Sequence, residues 1–287
     1  MSSHMAATQT KRGGRVALSD NLKLRIASGA VLATVAFALA YAGPKSFAAL
    51  ILVVALLVSW EWGRMVRSIS ADLAFFIHAI AVTGAIVLAV SGYAALGAAV
   101  LVTAAIILVP LVFGRGARLS ALGVFYVGLP AISLIWLRGN EPYGFAAVLL
   151  VFAIVWCSDI GAYAAGRLIG GPKLWPQVSP NKTWAGLLGG LAAGCAGALI
   201  VHLFAPDASL VRLALMGVML ALVAQAGDLA ESGLKRWFGL KDASDLIPGH
   251  GGFMDRMDSI VAVATAAGLY ALVCDPHAPA RALLFGV

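Results

Sequence analysis

The sequence predicts an all-α protein: a polytopic transmembrane helical bundle of about nine spans, with its N-terminus cytoplasmic. Three observations predict it. The chain is 61% hydrophobic and 11% charged, with a mean hydropathy of +0.95, which soluble domains rarely reach. Apolar runs of about 20 residues, the helical length of a hydrocarbon core, recur from end to end. The strict apolar–polar alternation of a transmembrane β-barrel is missing from them.

In order, the predicted spans are 24–42, 46–63, 72–90, 94–113, 119–137, 143–166, 184–204, 209–230 and 257–274. Residues 1–23 form a cytoplasmic N-terminal segment. Its start, MSSHM at 1–5, reads as a vector-derived remnant, so His4 is left uninterpreted. Residues 24–287 form a single integral membrane domain, because links such as Ser91-Gly92-Tyr93 are too short to hold another. The first run follows Lys11, Arg12, Arg15, Lys23 and Arg25 and ends in ALAYAG, as a signal peptide would. At about 19 residues it exceeds the roughly 7–15 of a signal core, and it reads as an uncleaved span.

Orientation follows from the basic residues. With the N-terminus inside, the inner segments hold all 20 Lys and Arg except Lys45, Arg138, Arg212 and Arg281, as the positive-inside rule requires. The two longest inner loops, 167–183 and 231–256, are also the richest in polar motif residues. The formal net charge of +7 lies between spans and meets anionic membrane lipids. No basic stripe interleaved with aromatics supports nucleic-acid binding. Cys157, Cys195 and Cys274 lie within or at the ends of apolar runs and form no CxxC pair, so they read as small buried hydrophobes. Gly186, Gly190 and Gly194 recur at four-residue spacing in span seven. Packing within one subunit is the first reading of that stripe, and a homodimer interface is the second.

Charge in so apolar a chain marks chemistry. Asp228, Glu231, Ser232 and Lys235 fall at i, i+3, i+4 and i+7, on one helical face. Asp255 and Asp258 project together at the start of span nine. One of them could serve as a helix N-cap, but clustered acids repel unless a cation sits among them. Mg²⁺, bound by carboxylates and substrate phosphates, suits such a cluster. Lys235, Arg236, Lys241 and Arg256 suit phosphate oxygens, and Asp242 lies beside Lys241. The turn 248–252, PGHGG, allows positive φ and an anion-binding nest, and places His250, Gly251 and Gly252 at the candidate site. Asp159 lies inside an apolar run with Tyr163 at i+4, so an intramembrane acid becomes a functional candidate. Ser179, Lys182 and Thr183 precede span seven, where a helix N-terminus favours phosphate. No GxxxxGK[ST] P-loop is present. His78, His202 and His277 are isolated and read as structural.

Taken together, Ser232, Lys235-Arg236, Lys241-Asp242, Pro248, His250-Gly251-Gly252, Asp255-Arg256 and Asp258 follow S-x-x-K-R-x₄-K-D-x₅-P-x-H-G-G-x-x-D-R-x-D. This spacing resembles the signature of the phosphatidate cytidylyltransferase (CDP-diacylglycerol synthase) family. Asp159-x-Gly161-x-Tyr163 and the segment Ser179 to Trp184 are similar to that family as well. The resemblance is strong over about 155–260, and Ala185 departs from it where the family commonly has Glu. It implies transfer of a cytidylyl group from CTP to phosphatidate, with Mg²⁺, as two cations, held by Asp228, Asp255 and Asp258. The distribution of basic residues predicts a cytoplasm-facing site, and the lack of a long soluble extension points to a bacterial inner membrane.

Two rivals remain at the sequence level. A related enzyme acting on an isoprenoid lipid phosphate would carry the same loop motifs. A transporter could line its path with Asp159 and Asp228, although the polar groups gather at one membrane face and no inverted repeat is visible. The D-G-x-x-A-R motif of the CDP-alcohol phosphatidyltransferases is absent.

Overall fold

The structure, a computed structural model, describes residues 20–69, 71–112, 115–244, 246 and 252–286, with the backbone alone at 20–27 and 115. Its order is α1 (Asp20–Ala42), α2 (Pro44–Arg67), α3 (Leu73–Val90), α4 (Ala94–Leu111), α5 (Arg115–Gly139), α6 (Gly144–Leu168), β1 (Lys173–Trp175), β2 (Ser179–Thr183), α7 (Trp184–Ile200), α8 (Leu210–Trp237), α9 (Met254–Cys274) and α10 (Pro279–Phe285). Eight helices, α2 to α9, are long and apolar enough to cross a membrane, and α1 is apolar along Ser28–Ala42. The chain is an integral membrane protein. The predicted all-α class and span order hold for α1–α9.

Helix ends follow local chemistry. Pro44 opens α2, where its missing N–H costs nothing. Asp72 caps α3 by accepting from the Phe75 amide at 2.8 Å, and Arg67 clasps the same carboxylate at 2.7 and 2.9 Å. Thr183 caps α7 through the Gly186 amide at 3.0 Å. Two stretches differ from expectation. α8 runs seven residues beyond the predicted end of its span, to Trp237, carrying Glu231, Ser232 and Lys235 with it. The predicted loop 167–183 contains an antiparallel hairpin, with Lys173 opposite Thr183 and Trp175 opposite Ser179. Strands of three and five residues are too short to leave a periodic signal.

α5 is the most buried span and packs against α2, α3, α4, α6 and α9. A second sub-bundle, α6–α7–α8–α9, is drawn together by small residues. A Cβ on Gly189 would lie 2.3 Å from Ala165 Cβ, and one on Gly194 2.6 Å from Ala221 Cβ. The stripe Gly186, Gly190 and Gly194 thus faces α6 and α8 of its own chain, which is the first of the two readings above. Gly227 does the same for α8 and α9, where a Cβ would meet Ala262 Cβ at 2.5 Å.

Gly189→Ala is expected to destabilise the protein by about 1–3 kcal/mol through overpacking. Gly139→Ala, with open space around its Cβ, serves as the neutral comparison in detergent thermal unfolding. Partial burial pushes the Asp72 carboxyl up, but Arg67 and the Phe75 amide outweigh it and hold the group below its ordinary value. Its contribution is therefore complete above the unfolded carboxyl value of about 3.9 and is lost as pH falls through the lower folded value. Asp72→Ala is expected to cost about 1 kcal/mol at neutral pH, and its difference from wild type should shrink once pH falls below about 3.9.

Candidate active site

The site gathers at one end of the bundle, where α2, α4, α6 and α8 finish and α5, α7 and α9 begin. A cavity of about 1140 Å³ opens there. Asp159 and Tyr163 of α6, Lys182 and Thr183 of the hairpin, Asp228 of α8, and Asp255, Arg256 and Asp258 of α9 line its polar end. Its body is apolar, bounded by Ala33 of α1, Leu50 and Val54 of α2, Val127 and Leu134 of α5, and Phe152 and Trp156 of α6. Along α6 the lining runs from Phe152 to Arg167, roughly 22 Å of helix. The cavity therefore joins a charged mouth to a greasy interior.

Asp228 Oδ2 forms an ion pair with Lys182 Nζ at 2.7 Å, and Ser232 Oγ donates to Asp228 Oδ1 at 3.4 Å. Asp159, Asp228 and Asp258 bear on one another electrostatically, with Lys182 and Arg256 opposing them at Asp159. Protein surrounds most of the Asp159 carboxylate, yet the residue stays exposed where it lines the cavity. Asp258 Oδ1 accepts from the Ser259 amide at 2.7 Å. These are the acids that face open space.

Asp255 is differently placed. Its Oδ1 takes Lys235 Nζ at 2.5 Å, and its Oδ2 accepts from the Ala243 and Gly252 amides at 2.9 and 2.8 Å. Lys235, only 9% exposed, also contacts Glu231 Oε1 at 3.0 Å. Tyr126 of α5 closes the network by donating to Glu231 Oε2 at 3.0 Å. Lys235 is thus placed behind the cavity wall, as a counter-ion between two buried acids. Gly252 is buried against α2, away from the cavity lining. Thr183 has its hydroxyl engaged as a helix cap.

Other predicted residues stand apart. Arg236, Lys241 and Asp242 are exposed past the cavity, and Arg236 Nη1 donates to the Leu240 carbonyl at 3.2 Å. Ser179 lies at the far end of the hairpin register, opposite Trp175. Pro248, His250 and Gly251 lie outside the described residues. Ala185 sits in the first turn of α7 and is not among the residues lining the cavity. Among the described residues, no three metal-ligating side chains converge on one point.

The model of the cytidylyltransferase family matches residues 23–274. The chain belongs to the cytidylyltransferase family. The phosphatidate cytidylyltransferase of Brucella suis biovar 1 (strain 1330) is 39% identical over 263 residues, covering 91% of this chain and 97% of that protein. Its counterpart in Brucella melitensis biotype 1 is similar to the same extent. The phosphatidate cytidylyltransferase of Staphylococcus saprophyticus is 40% identical over 148 residues, 51% of this chain and 56% of that one.

In this cytidylyltransferase two acids matter to which the sequence assigned no role in the site. Glu231 shares the helical face of Asp228 and Lys235, and so was visible as an i,i+4 partner. Glu61, fully buried in α2, accepts hydrogen bonds from Ser244, Phe253 and Met254. Its only sequence signal is an acid near the end of an apolar run, between Trp60 and Trp62. Lys235→Met should cost about 3–5 kcal/mol, because it strands two buried carboxylates. Denaturant unfolding of the purified variant in detergent checks this, and a loss below about 1 kcal/mol would mean that water already reaches the network.

Proposed function

We propose that this chain transfers the cytidylyl group of CTP to phosphatidate, giving CDP-diacylglycerol and pyrophosphate at the cytoplasmic face of a bacterial inner membrane. The supporting observation is the two-part cavity. A lipid phosphate would lie at the charged mouth while its tails occupy the apolar interior between α1, α2, α5 and α6. The inside-positive distribution of Lys and Arg supports a mouth on the side that holds nucleotides.

In the reaction, a phosphate oxygen of phosphatidate bonds to the α-phosphorus of CTP. The bond from that phosphorus to the α–β bridging oxygen breaks, and pyrophosphate leaves. The nucleophile is already anionic, so the work is positioning and charge neutralisation rather than proton removal. Lys182 and Arg256 would bind phosphate oxygens, with Lys182 held ready by Asp228. Arg236 in the last turn of α8 and Lys241 just past it, both exposed, would draw the nucleotide in. We assign Lys235 and Asp255 a supporting role, because each already has buried partners.

The carboxylates at the mouth are hard oxygen donors, and one or two of them plus substrate phosphates make an ordinary Mg²⁺ shell. Asp228 and Asp258 are the residues that would hold such a cation, with Asp159 close enough to add charge. Mg²⁺, when bound, would supply neutralisation of the phosphate oxygens.

Purified protein given CTP labelled in its α-phosphate, phosphatidate and Mg²⁺ should form CDP-lipid and pyrophosphate in equal amounts. A chelator should abolish this. Asp258→Asn should lower kcat about 100-fold or more while remaining folded. Full turnover in chelator, or faster turnover with an isoprenoid phosphate in place of phosphatidate, would contradict the proposal.

A further inference from the structure

Helix α9 aims Asp255, Arg256 and Asp258, yet nothing in its own sequence caps it. The N-cap position is Phe253, whose side chain offers no acceptor. The first amides of a helix need partners from elsewhere. Here they come from α2. Glu61, at 0% exposure, accepts from the Phe253 amide at 2.9 Å through Oε1 and from the Met254 amide at 2.6 Å through Oε2. Its Oε1 also accepts from Ser244 Oγ at 2.5 Å.

Ser244 and Phe253 stand either side of residues 245–252 in the chain, and the one Glu61 carboxylate binds both. Asp255 repeats the arrangement by accepting from the Ala243 and Gly252 amides. Two acids, one from α2 and one from α9 itself, therefore fix the same pair of chain crossings. Gly252 lies between them, and a Cβ there would fall 2.6 Å from Glu61 Oε1. The glycine of the motif is needed for this close approach. Glu61 itself does not line the cavity.

We infer that Glu61 is a positioning residue for the cytidylyl transfer proposed above: it caps α9 from a distant helix and sets the direction in which Arg256 and Asp258 face the cavity. The inference rests on that functional reading. Its physical content is that the first turn of α9 would lose its acceptor, and with it its aim, if the Glu61 carboxylate were replaced. An acid also suits the positive end of a helix.

Glu61→Gln keeps the shape but turns an NH₂ group toward at least one of the two amides, which leaves a buried donor unpaired. Two measurements are made on purified full-length protein. Hydrogen–deuterium exchange of peptides covering 252–258 needs no substrate and should accelerate about tenfold. Turnover should show kcat lowered about tenfold or more, with KM for phosphatidate within about twofold of wild type. Ser244→Ala removes one of the three donors and leaves both backbone bonds; it should fold and show a smaller change in both readouts. Faster exchange with unchanged kcat in both variants would reduce Glu61 to a purely structural cap and overturn the inference. Unchanged exchange would overturn it too, whatever happens to kcat. If wild-type protein forms no CDP-lipid, the functional reading fails on its own, while the exchange arm still reports whether Glu61 holds the turn.

Discussion

Lys235 and Asp255 join the end of α8 to the start of α9 through a 2.5 Å contact, and most of the polar end of the bundle depends on it. A carboxylate in such apolar surroundings must find donors or give up its charge. Asp255 finds one cation and two amides, and Lys235 finds a second acid in Glu231. The result is a nearly dry network in which every charge has an opposite neighbour. Leaving any one unpaired is far costlier than the net worth of the set. The ion pair therefore adds little stability of its own and mainly fixes geometry: it holds the helices carrying Asp228 and Asp258 in register beside the cavity.

That register also needs close helices. Gly227 lets α8 and α9 approach next to Asp228 and Asp258, and Gly189 and Gly194 do the same for α7 against its neighbours. In a bilayer, helices gain little from hydrophobic burial against one another, so van der Waals fit at small residues carries much of the association. Tight packing on the α6–α9 side contrasts with the open space between α1, α2, α5 and α6. The first side holds charges still, and the second leaves room for hydrocarbon. A lipid-processing enzyme that draws its substrate from the bilayer needs both.

Much of this was legible in the sequence. The spans were, because hydropathy over about 20 residues is a strong, local signal. Asp159, Lys182, Asp228, Arg256 and Asp258 were too, because charges in an apolar chain stand out, and they do meet at one cavity. The β1–β2 hairpin was not, since a few residues of strand leave no pattern. Nor was the division of labour between Asp255 and Asp258. They stand three residues apart near the start of the same helix, and only the tertiary fold pairs one with Lys235 and leaves the other to the cavity. Glu61 was missed for a related reason. Its partners lie about 190 residues away in sequence, and local spacing carries no trace of a bond so distant.

The most direct measurement is a double-mutant cycle between Lys235 and Asp255, with unfolding of purified Lys235→Met, Asp255→Leu and the pair compared with wild type. A coupling of about 1.5–3 kcal/mol is expected if the two side chains form one buried unit. Effects that add within about 0.5 kcal/mol would mean that the helices are held in register by something else.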